Sequence, residues 1–140
     1  LIDRNFIVQA SLLHDIGILF CDASTIHCIG HHPYIEHGFL GAQLLRQEGL
    51  ERHALVAERH TGSGLTKEDI VMQQINIPIQ DYLPISLEEK VICFADKFFS
   101  KSKPTQQLTL EQIHRNMSRF GDASFNRWLA LEKLCIGNKM

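Results

Sequence analysis

The sequence predicts an all-α protein, built as an irregular bundle of helices. Apolar residues recur at helical spacing in several segments, and capping residues or glycines bound most of these segments. No strand pattern of period two persists along the chain, which argues against a sheet-based fold. No seven-residue repeat is sustained either, which argues against a coiled coil.

The first half of the chain predicts three helices and one long loop. Residues 3–14 are expected to form a helix that Gly17 ends in the left-handed conformation. Residues 17–35 lack sustained periodicity and predict a loop long enough to have a function. The next two helices are expected over residues 35–48 and 51–60.

The second half predicts one short helix and three longer ones. Capping pairs three residues apart mark three helix starts: Thr66 with Asp69, Ser86 with Glu89 and Thr109 with Gln112. The helix from Ser86 is expected to run to about residue 102, because Pro104 cannot continue it. The C-terminal helices occupy about residues 109–136, and residues 76–85 form a loop. Residues 62–64 lack the lysine and spacing of a phosphate-binding loop and predict a helix-to-helix turn.

The bulk composition fits one domain and excludes several functional classes. The chain has 140 residues, of which 44% are hydrophobic and 21% are charged. Its formal net charge of -2 offers no basic field for nucleic acid. No apolar run approaches the roughly 20 residues that span a bilayer, and no signal peptide is recognisable. We therefore predict a cytoplasmic protein with neither a nucleic-acid nor a membrane partner.

Histidine is the residue type whose distribution is unusual. Seven of the eight histidines lie within the first 60 residues: His14, His27, His31, His32, His37, His53 and His60. The four cysteines form no C-x-x-C pair, so they predict reduced thiols rather than a zinc or redox motif. Any metal chemistry is therefore expected to rest on imidazoles together with carboxylates.

Five potential metal ligands lie at predicted helix ends or on inner helix faces. They are His14, Asp15, His37, His60 and Asp96. Mixed imidazole and carboxylate ligands suit Fe, Mn, Co, Ni or Zn, whereas an all-oxygen set suits Mg or Ca. Asp15 can bridge two ions, and two bridged ions can polarise a phosphate and deprotonate a bound water.

Each of these residues also has a purely structural interpretation. His37 and His60, each taken alone, are more typical of polar residues that are satisfied at helix ends than of metal ligands. Asp96 is harder to dismiss, because a carboxylate among apolar neighbours is costly unless it is paired or metal-bound. Lys97 is adjacent, but successive helix residues are not expected to face each other. His53 and His114 are expected to have no catalytic role.

The motifs around these residues resemble the HD-domain superfamily of metal-dependent phosphohydrolases, of the HDIG type. The resemblance covers about residues 1–103 and rests on Leu13-His14-Asp15-Ile16-Gly17 and on Asp96 in Phe94-Ala95-Asp96-Lys97. His37 and His60 stand where the binuclear-metal branch has two further histidines. The His60-Thr61-Gly62 segment is also similar to the bacterial branch that hydrolyses dinucleoside polyphosphates.

The resemblance implies a single HD-type helical domain over residues 1–140, with the metal motifs at 14–96 and further helices at 109–136. It also implies two divalent transition-metal ions, iron being favoured over Mn, Ni, Co or Zn. His14 and Asp96 would bind one ion, His37 and His60 the other, and Asp15 both. The family's first histidine precedes the His-Asp pair, and none precedes His14 here. We therefore expect the natural chain to carry a further helix upstream.

The predicted function is hydrolysis of a phosphoester or phosphoanhydride in a nucleotide or another small phosphorylated molecule. The predicted catalytic residues are Asp15, Lys97, His31 and His32, and Arg59 and Lys97 are expected to bind the substrate phosphate. Two alternatives remain open on the sequence. One is a mixed-valence di-iron oxygenase of the same fold, and the other is a nucleotide-sensing module without turnover.

Overall fold

Seven α-helices make up most of the computed structural model, which describes residues 1–137. They are α1 (Arg4–Leu13), α2 (His37–Gln47), α3 (Glu51–Glu58), α4 (Lys67–Met72), α5 (Leu87–Asp96), α6 (Leu110–Ser118) and α7 (Asp122–Ile136). The predicted all-α class is confirmed. The three predicted capping pairs are confirmed as reciprocal capping boxes at the starts of α4, α5 and α6. The last three residues of the predicted domain lie outside the described part.

Two small antiparallel hairpins, which no sequence pattern predicted, interrupt the helices. β1 (Asp22–Ala23) pairs with β2 (Cys28–Ile29), and β3 (Phe99–Ser100) pairs with β4 (Lys103–Gln107). The first hairpin lies within the predicted loop 17–35, which also contains one short 3₁₀ helix and overlaps two others. Strands β1, β2 and β3 have only two residues each, which is too short for a periodic signal, and β4 has no buried residue that could alternate with exposed ones.

The helix predicted over residues 86–102 ends at Asp96, about six residues earlier than expected. Phe98 continues the apolar helical pattern, but it packs from the following turn against the core between α5, α6 and α7. The backbone N–H of Leu108 donates to the carbonyl of Phe98 over 2.7 Å and closes the β3–β4 hairpin. Burial of Phe98 therefore fits both a longer helix and the observed hairpin.

Helix α5 is shared between two parts of the core. Ile92 packs with Phe6 of α1 and Val56 of α3. Cys93 and Phe94 belong to the buried cluster that α6 and α7 complete, in which the Phe94 ring stacks on Trp128 at 4.9 Å. The C-terminal helices are thereby fixed to the helix that ends in Asp96. Within residues 1–137, no helix combines the length and apolar character that crossing a membrane requires.

Gly17 is required for a reason other than the predicted one. Helix α1 ends at Leu13, and His14 caps it in the right-handed conformation. Gly17 lies in the 3₁₀ helix Ile16–Phe20 and does not have a positive φ. A Cβ at Gly17 would lie 1.9 Å from the carbonyl oxygen of His37, so the absence of a side chain lets this segment lie directly against α2.

Candidate metal centre

The five predicted ligands lie at the ends of four helices that converge on one point. His14 caps α1, and Asp15 directly follows it. His37 is the first residue of α2, His60 comes two residues after the end of α3, and Asp96 is the last residue of α5. Helix ends can meet in this way because their terminal side chains do not have to follow the buried face of each helix.

Asp15 lies at the centre of the cluster, and its two carboxylate oxygens face different partners. Its Oδ1 is 3.3 Å from Nε2 of His37 and 3.2 Å from Nε2 of His60. Its Oδ2 is 3.1 Å from Nε2 of His14, which is also 3.1 Å from Oδ1 of Asp96. The two Nε2 atoms of His37 and His60 are 3.0 Å apart.

Each of the three imidazoles is oriented by its own helix. Their Nδ1 atoms donate to the backbone carbonyls three residues earlier, of Ser11, Tyr34 and Ala57, over 2.6 Å in each case. A carbonyl only accepts, so Nδ1 carries the proton, and in the neutral ring Nε2 presents a lone pair. Such a hydrogen bond on the far nitrogen is the usual support of a metal-binding histidine.

Around Oδ1 of Asp15, this arrangement leaves the acceptors of Asp15, His37 and His60 facing one another without a proton between them. Oδ1 of Asp15 is buried and has no hydrogen-bond donor among the described residues. Ligands at 2.0–2.2 Å from one ion are about 3.0–3.4 Å apart, and the separations around Asp15 Oδ1 fall in that range. The donor set therefore fits a divalent metal ion, and atoms of His14, Asp15 and His60 lie within 4.8 Å of one another.

The ionisation of the cluster matches ligand chemistry. Burial lowers the pKa of His60 to about 4 despite its contact with Asp15, so this ring is neutral at pH 7. Although burial opposes it, the hydrogen bond and the positive charge of His14 hold the pKa of Asp15 far below its usual range. Burial likewise disfavours a charge on His14, but Asp15 and Asp96 outweigh it and raise its pKa to about 10. A metal ion at His14 would displace this proton.

Lys97 makes contacts that the sequence interpretation excluded. Its Nζ donates to Oδ2 of Asp96 and to the carbonyl of His60, over 2.8 Å each. The expectation that adjacent residues would not meet was wrong, because Lys97 caps α5 and its side chain bends back beside the last turn. Lys97 therefore neutralises the partly buried Asp96 and leaves the other oxygen of Asp96 to His14.

Lys101 is a site residue that the sequence analysis missed. Its Nζ lies 3.0 Å from Oδ2 of Asp15 and 5.6 Å from the centre of the Tyr34 ring. The Tyr34 ring in turn packs on the His37 ring at 4.5 Å. Lys101 reaches the cluster only because residues 99–107 form a hairpin, and no sequence pattern predicted that hairpin.

The other predicted site residues have contacts away from the cluster. Arg59 donates to Glu89 over 2.7 Å in a largely buried ion pair between α3 and α5. His32 lies 3.2 Å from Glu36, and His31 is exposed in the loop before α2. None of the three lines the two cavities beside the metal centre. Their predicted roles in phosphate binding and proton donation stay predictions.

The cluster is open to the surface through two cavities. The larger has a volume of about 570 Å³ and is lined in part by Tyr34, His37, His60, Asp96, Lys97 and Lys101. The smaller, of about 340 Å³, is lined in part by His14, Asp15, Asp96 and Lys101. A small anionic substrate can therefore reach the ligand atoms and meet the ammonium of Lys101 there.

Comparison with known proteins places these features in a family. The sequence model of the HD domain matches residues 1–100. A Methanocaldococcus jannaschii protein, named only as uncharacterized protein MJ0778, is 42% identical over 103 residues, which are 73% of this chain and 53% of that protein. No solved structure matches the chain significantly.

Two further relatives are named tRNA (cytidine(56)-2'-O)-methyltransferase. The Picrophilus torridus protein is 33% identical over 72% of this chain and 26% of its own length. The Thermoplasma volcanium protein is 31% identical over 85% of this chain and 31% of its own length. The chain thus spans about half of the first relative and less than a third of the other two. The match over residues 1–100 shows that the chain belongs to the HD domain family.

Proposed function

We propose that the protein is a metal-dependent phosphohydrolase, which cleaves a phosphoester or phosphoanhydride bond of a small phosphorylated molecule. The observation that carries the proposal is the convergence of lone pairs on the buried Oδ1 of Asp15, which has no donor of its own among the described residues. This convergence lies at the floor of an open cavity that also presents a lysine. A cavity that can bind metal ions at its base and presents an ammonium group in its wall suits a phosphate group.

The contacts support a centre of two ions that share Asp15. His37 and His60 face Oδ1, whereas His14 and, through it, Asp96 lie on the side of Oδ2. Divalent ions bound there supply an acidified water at neutral pH and a positive charge beside the phosphoryl oxygens. Iron remains the favoured metal on family resemblance, and Mn, Ni, Co and Zn have the same ligand preferences.

The chain's own residues hold this centre and attract the substrate. The carbonyls of Ser11, Tyr34 and Ala57 fix the three imidazole rings. Lys97 has its own hydrogen bonds inside the protein and acts as a positioning residue for Asp96. Lys101 has a partly exposed side chain in the cavity wall, and its ammonium is free to turn from Asp15 towards a phosphate oxygen.

The names of the two methyltransferase relatives do not carry over to this proposal. Each describes a whole protein of which this chain matches less than a third. The HD domain match covers the five candidate metal ligands, and the chemistry proposed here is that of those residues.

The test combines metal content with turnover. Protein purified without chelator or nickel resin is expected to contain close to two transition-metal ions per chain and to release phosphate from members of a phosphoester and phosphoanhydride panel. Asp15→Ala should lose both metal and turnover. Asp81→Ala should keep both, because Asp81 is exposed and contacts only the start of α4 in this region.

Three outcomes would contradict the proposal. Turnover that survives in Asp15→Ala would exclude the centre as its source. Consumption of oxygen with a small polyol or phosphonate, without phosphate release from the panel, would indicate the oxygenase. Metal binding with nucleotide binding but no turnover would indicate the sensing module.

A further inference from the structure

A third cavity opens beside the catalytic cleft, on the side away from α1. Its volume is about 380 Å³, within the range of about 300–1,000 Å³ that small-molecule sites occupy. It shares lining residues with the larger cavity at the metal centre, among them Tyr34, Thr61, Lys97 and Asn116. The two cavities are therefore neighbouring parts of one cleft, and a molecule whose phosphate lies at the metal centre can extend into the third cavity.

The walls of this cavity differ in character from those of the metal centre. Its apolar lining comes from Ile35, Leu65, Ile113, Met117 and Phe120. Its polar lining includes Asn116 of α6 and Arg127 of α7, together with Asp69 of α4. An apolar slot with a few hydrogen-bonding groups is typical of a site that orients an organic group rather than a second phosphate.

Arg127 has hydrogen-bonding capacity that the protein does not use. Its Nε is buried without an acceptor among the described residues. Its Nη2 makes only long contacts, 3.3 Å to the carbonyl of Gly64 and 3.4 Å to Oδ2 of Asp69. A buried N–H without an acceptor is costly, and an acceptor on a bound molecule would remove that cost.

The helices that complete this cavity lie outside the family match. The HD domain match ends at residue 100, whereas Ile113, Asn116, Met117, Phe120 and Arg127 all follow it. Packing of Trp128 and Ile113 against Phe94 fixes α6 and α7 beside the metal ligands of α5. The chain thus combines a centre shared with its family and a wall built from its own C-terminal helices.

We propose that this cavity is the subsite for the heteroaromatic base of a nucleotide whose phosphate lies at the metal centre. The inference rests on the proposed function for the position of the phosphate. A flat base can place its faces against Met117 and Leu65 while ring heteroatoms bond to Asn116 and Arg127. A bare sugar would leave hydroxyls unpaired against the apolar walls, and an aliphatic group would leave the buried Nε of Arg127 unpaired. Asn116, Met117 and Arg127 are therefore specificity-determining residues.

The first experiment compares two substrates that differ only in the base. The kcat/KM of the metal-loaded protein should be at least about tenfold higher for one or more of the four common ribonucleoside 5′-monophosphates than for ribose 5-phosphate. Asn116→Ala and Arg127→Met should each lower the kcat/KM for the nucleotide by about tenfold. The kcat/KM for ribose 5-phosphate should stay within about twofold of the wild-type value. Equal values for the two substrates, or an equal loss on both, would overturn the proposal.

Two variants control for effects on the helices themselves. Asn126→Ala changes an exposed asparagine of α7, and Arg119→Ala changes an exposed arginine after α6; neither residue lines this cavity. Both should leave the ratio of the two kcat/KM values unchanged. The melting temperatures of all four variants show whether a lower kcat/KM comes from unfolding of the variant rather than from the lost contact.

The second experiment separates this proposal from the proposed function. The four ribonucleosides, which carry no phosphate, are titrated by calorimetry into wild-type protein kept metal-free with a chelator. At least one of the nucleosides should bind to the wild-type protein, whereas ribose should not bind. The Kd of that nucleoside should be at least about fivefold higher for Asn116→Ala and for Arg127→Met. Nucleoside binding without any phosphoester turnover would reject the hydrolase and keep the subsite. Turnover without nucleoside binding would keep the hydrolase and reject the subsite.

Discussion

The ammonium of Lys101 lies 3.0 Å from Oδ2 of Asp15, which places the turn between β3 and β4 directly over the metal centre. Lys101 thereby supplies a positive charge at the mouth of the cleft. Because its side chain is partly exposed, its ammonium can leave the carboxylate of Asp15 and bind a substrate anion instead.

Lys101→Met is expected to raise the KM for a phosphoester substrate by about tenfold, because one charge-assisted hydrogen bond to phosphate is lost. Metal content should stay close to that of the wild type. Lys103→Met is the matched control, since Lys103 is an exposed lysine of β4 and does not line the cavities at the metal centre. Steady-state kinetics and elemental analysis check the result. A loss of metal in Lys101→Met would show instead that Lys101 holds Asp15 in place.

Gly17→Ala is expected to destabilise the fold by about 3 kcal/mol or more, because the new Cβ would lie 1.9 Å from the carbonyl oxygen of His37. Gly49→Ala is the comparison. Gly49 has a φ of 76° and nothing within 4 Å of the added atom, so only backbone strain of about 1–2 kcal/mol is expected. Urea unfolding of the two variants gives both free energies. A loss at Gly17 no larger than that at Gly49 would contradict the observed contact with α2.

Glu89→Gln is expected to remove stability that depends on pH. Burial disfavours the charge of Glu89, but hydrogen bonds from Arg59 and Ser86 outweigh it and hold its pKa below the ordinary 4.5. A carboxylate whose pKa is lower in the folded state than in the unfolded state stabilises the fold at pH values above its unfolded pKa. This stabilisation is lost as the pH falls through its folded pKa. Wild type should exceed the variant by about 2–3 kcal/mol at pH 7, and the gap should shrink below pH 4.5. A gap that is constant from pH 7 to pH 3 would argue against the ion pair with Arg59.

Metal addition is expected to raise the melting temperature of chelator-treated protein. Free metal at 100 times its Kd stabilises the folded state by about 2.7 kcal/mol. His37→Ala should remove most of the increase, because its Nε2 is one of the atoms that converge on Asp15. His53→Ala should keep the increase, since His53 contacts Gln9 and Phe6 away from the cluster. Thermal scans with and without Mn²⁺ or Zn²⁺ measure the increase in melting temperature of each variant. Equal increases in His37→Ala and His53→Ala would exclude His37 as a ligand.

Four of the five candidate ligands could be placed at helix ends from the sequence, because the apolar pattern of each helix stops or starts beside them. His14, Asp15 and His60 stand where the predicted helices 3–14 and 51–60 end, and His37 stands near the start of the next helix. Asp96 was expected inside a longer helix, and the structure places it at the end of α5. Lys101 and the contact between Lys97 and Asp96 could not be predicted in this way. Both depend on where α5 stops, and the apolar pattern through Phe98 is the same for a longer helix and for the hairpin.

The role of Gly17 shows the same limit. The sequence predicts a glycine at a helix end, and two physical reasons for a glycine exist there: a left-handed backbone or a close neighbour. Only the packing of the 3₁₀ helix on α2 distinguishes them. The third cavity was also beyond prediction, since the residues that line it come from α4, α6 and α7 and from the segments before α2, between α3 and α4, and after α5.

A centre built from helix ends has a consequence for the speed of metal exchange. Terminal turns open at a lower free energy than the middle of a packed helix, and each imidazole depends on a carbonyl in its own terminal turn or in the turn beside it. Unwinding of one such turn would withdraw a ligand while the core around Trp128 and Phe94 stays intact. Ions should therefore leave and enter on the timescale of local fraying, much faster than the whole chain unfolds.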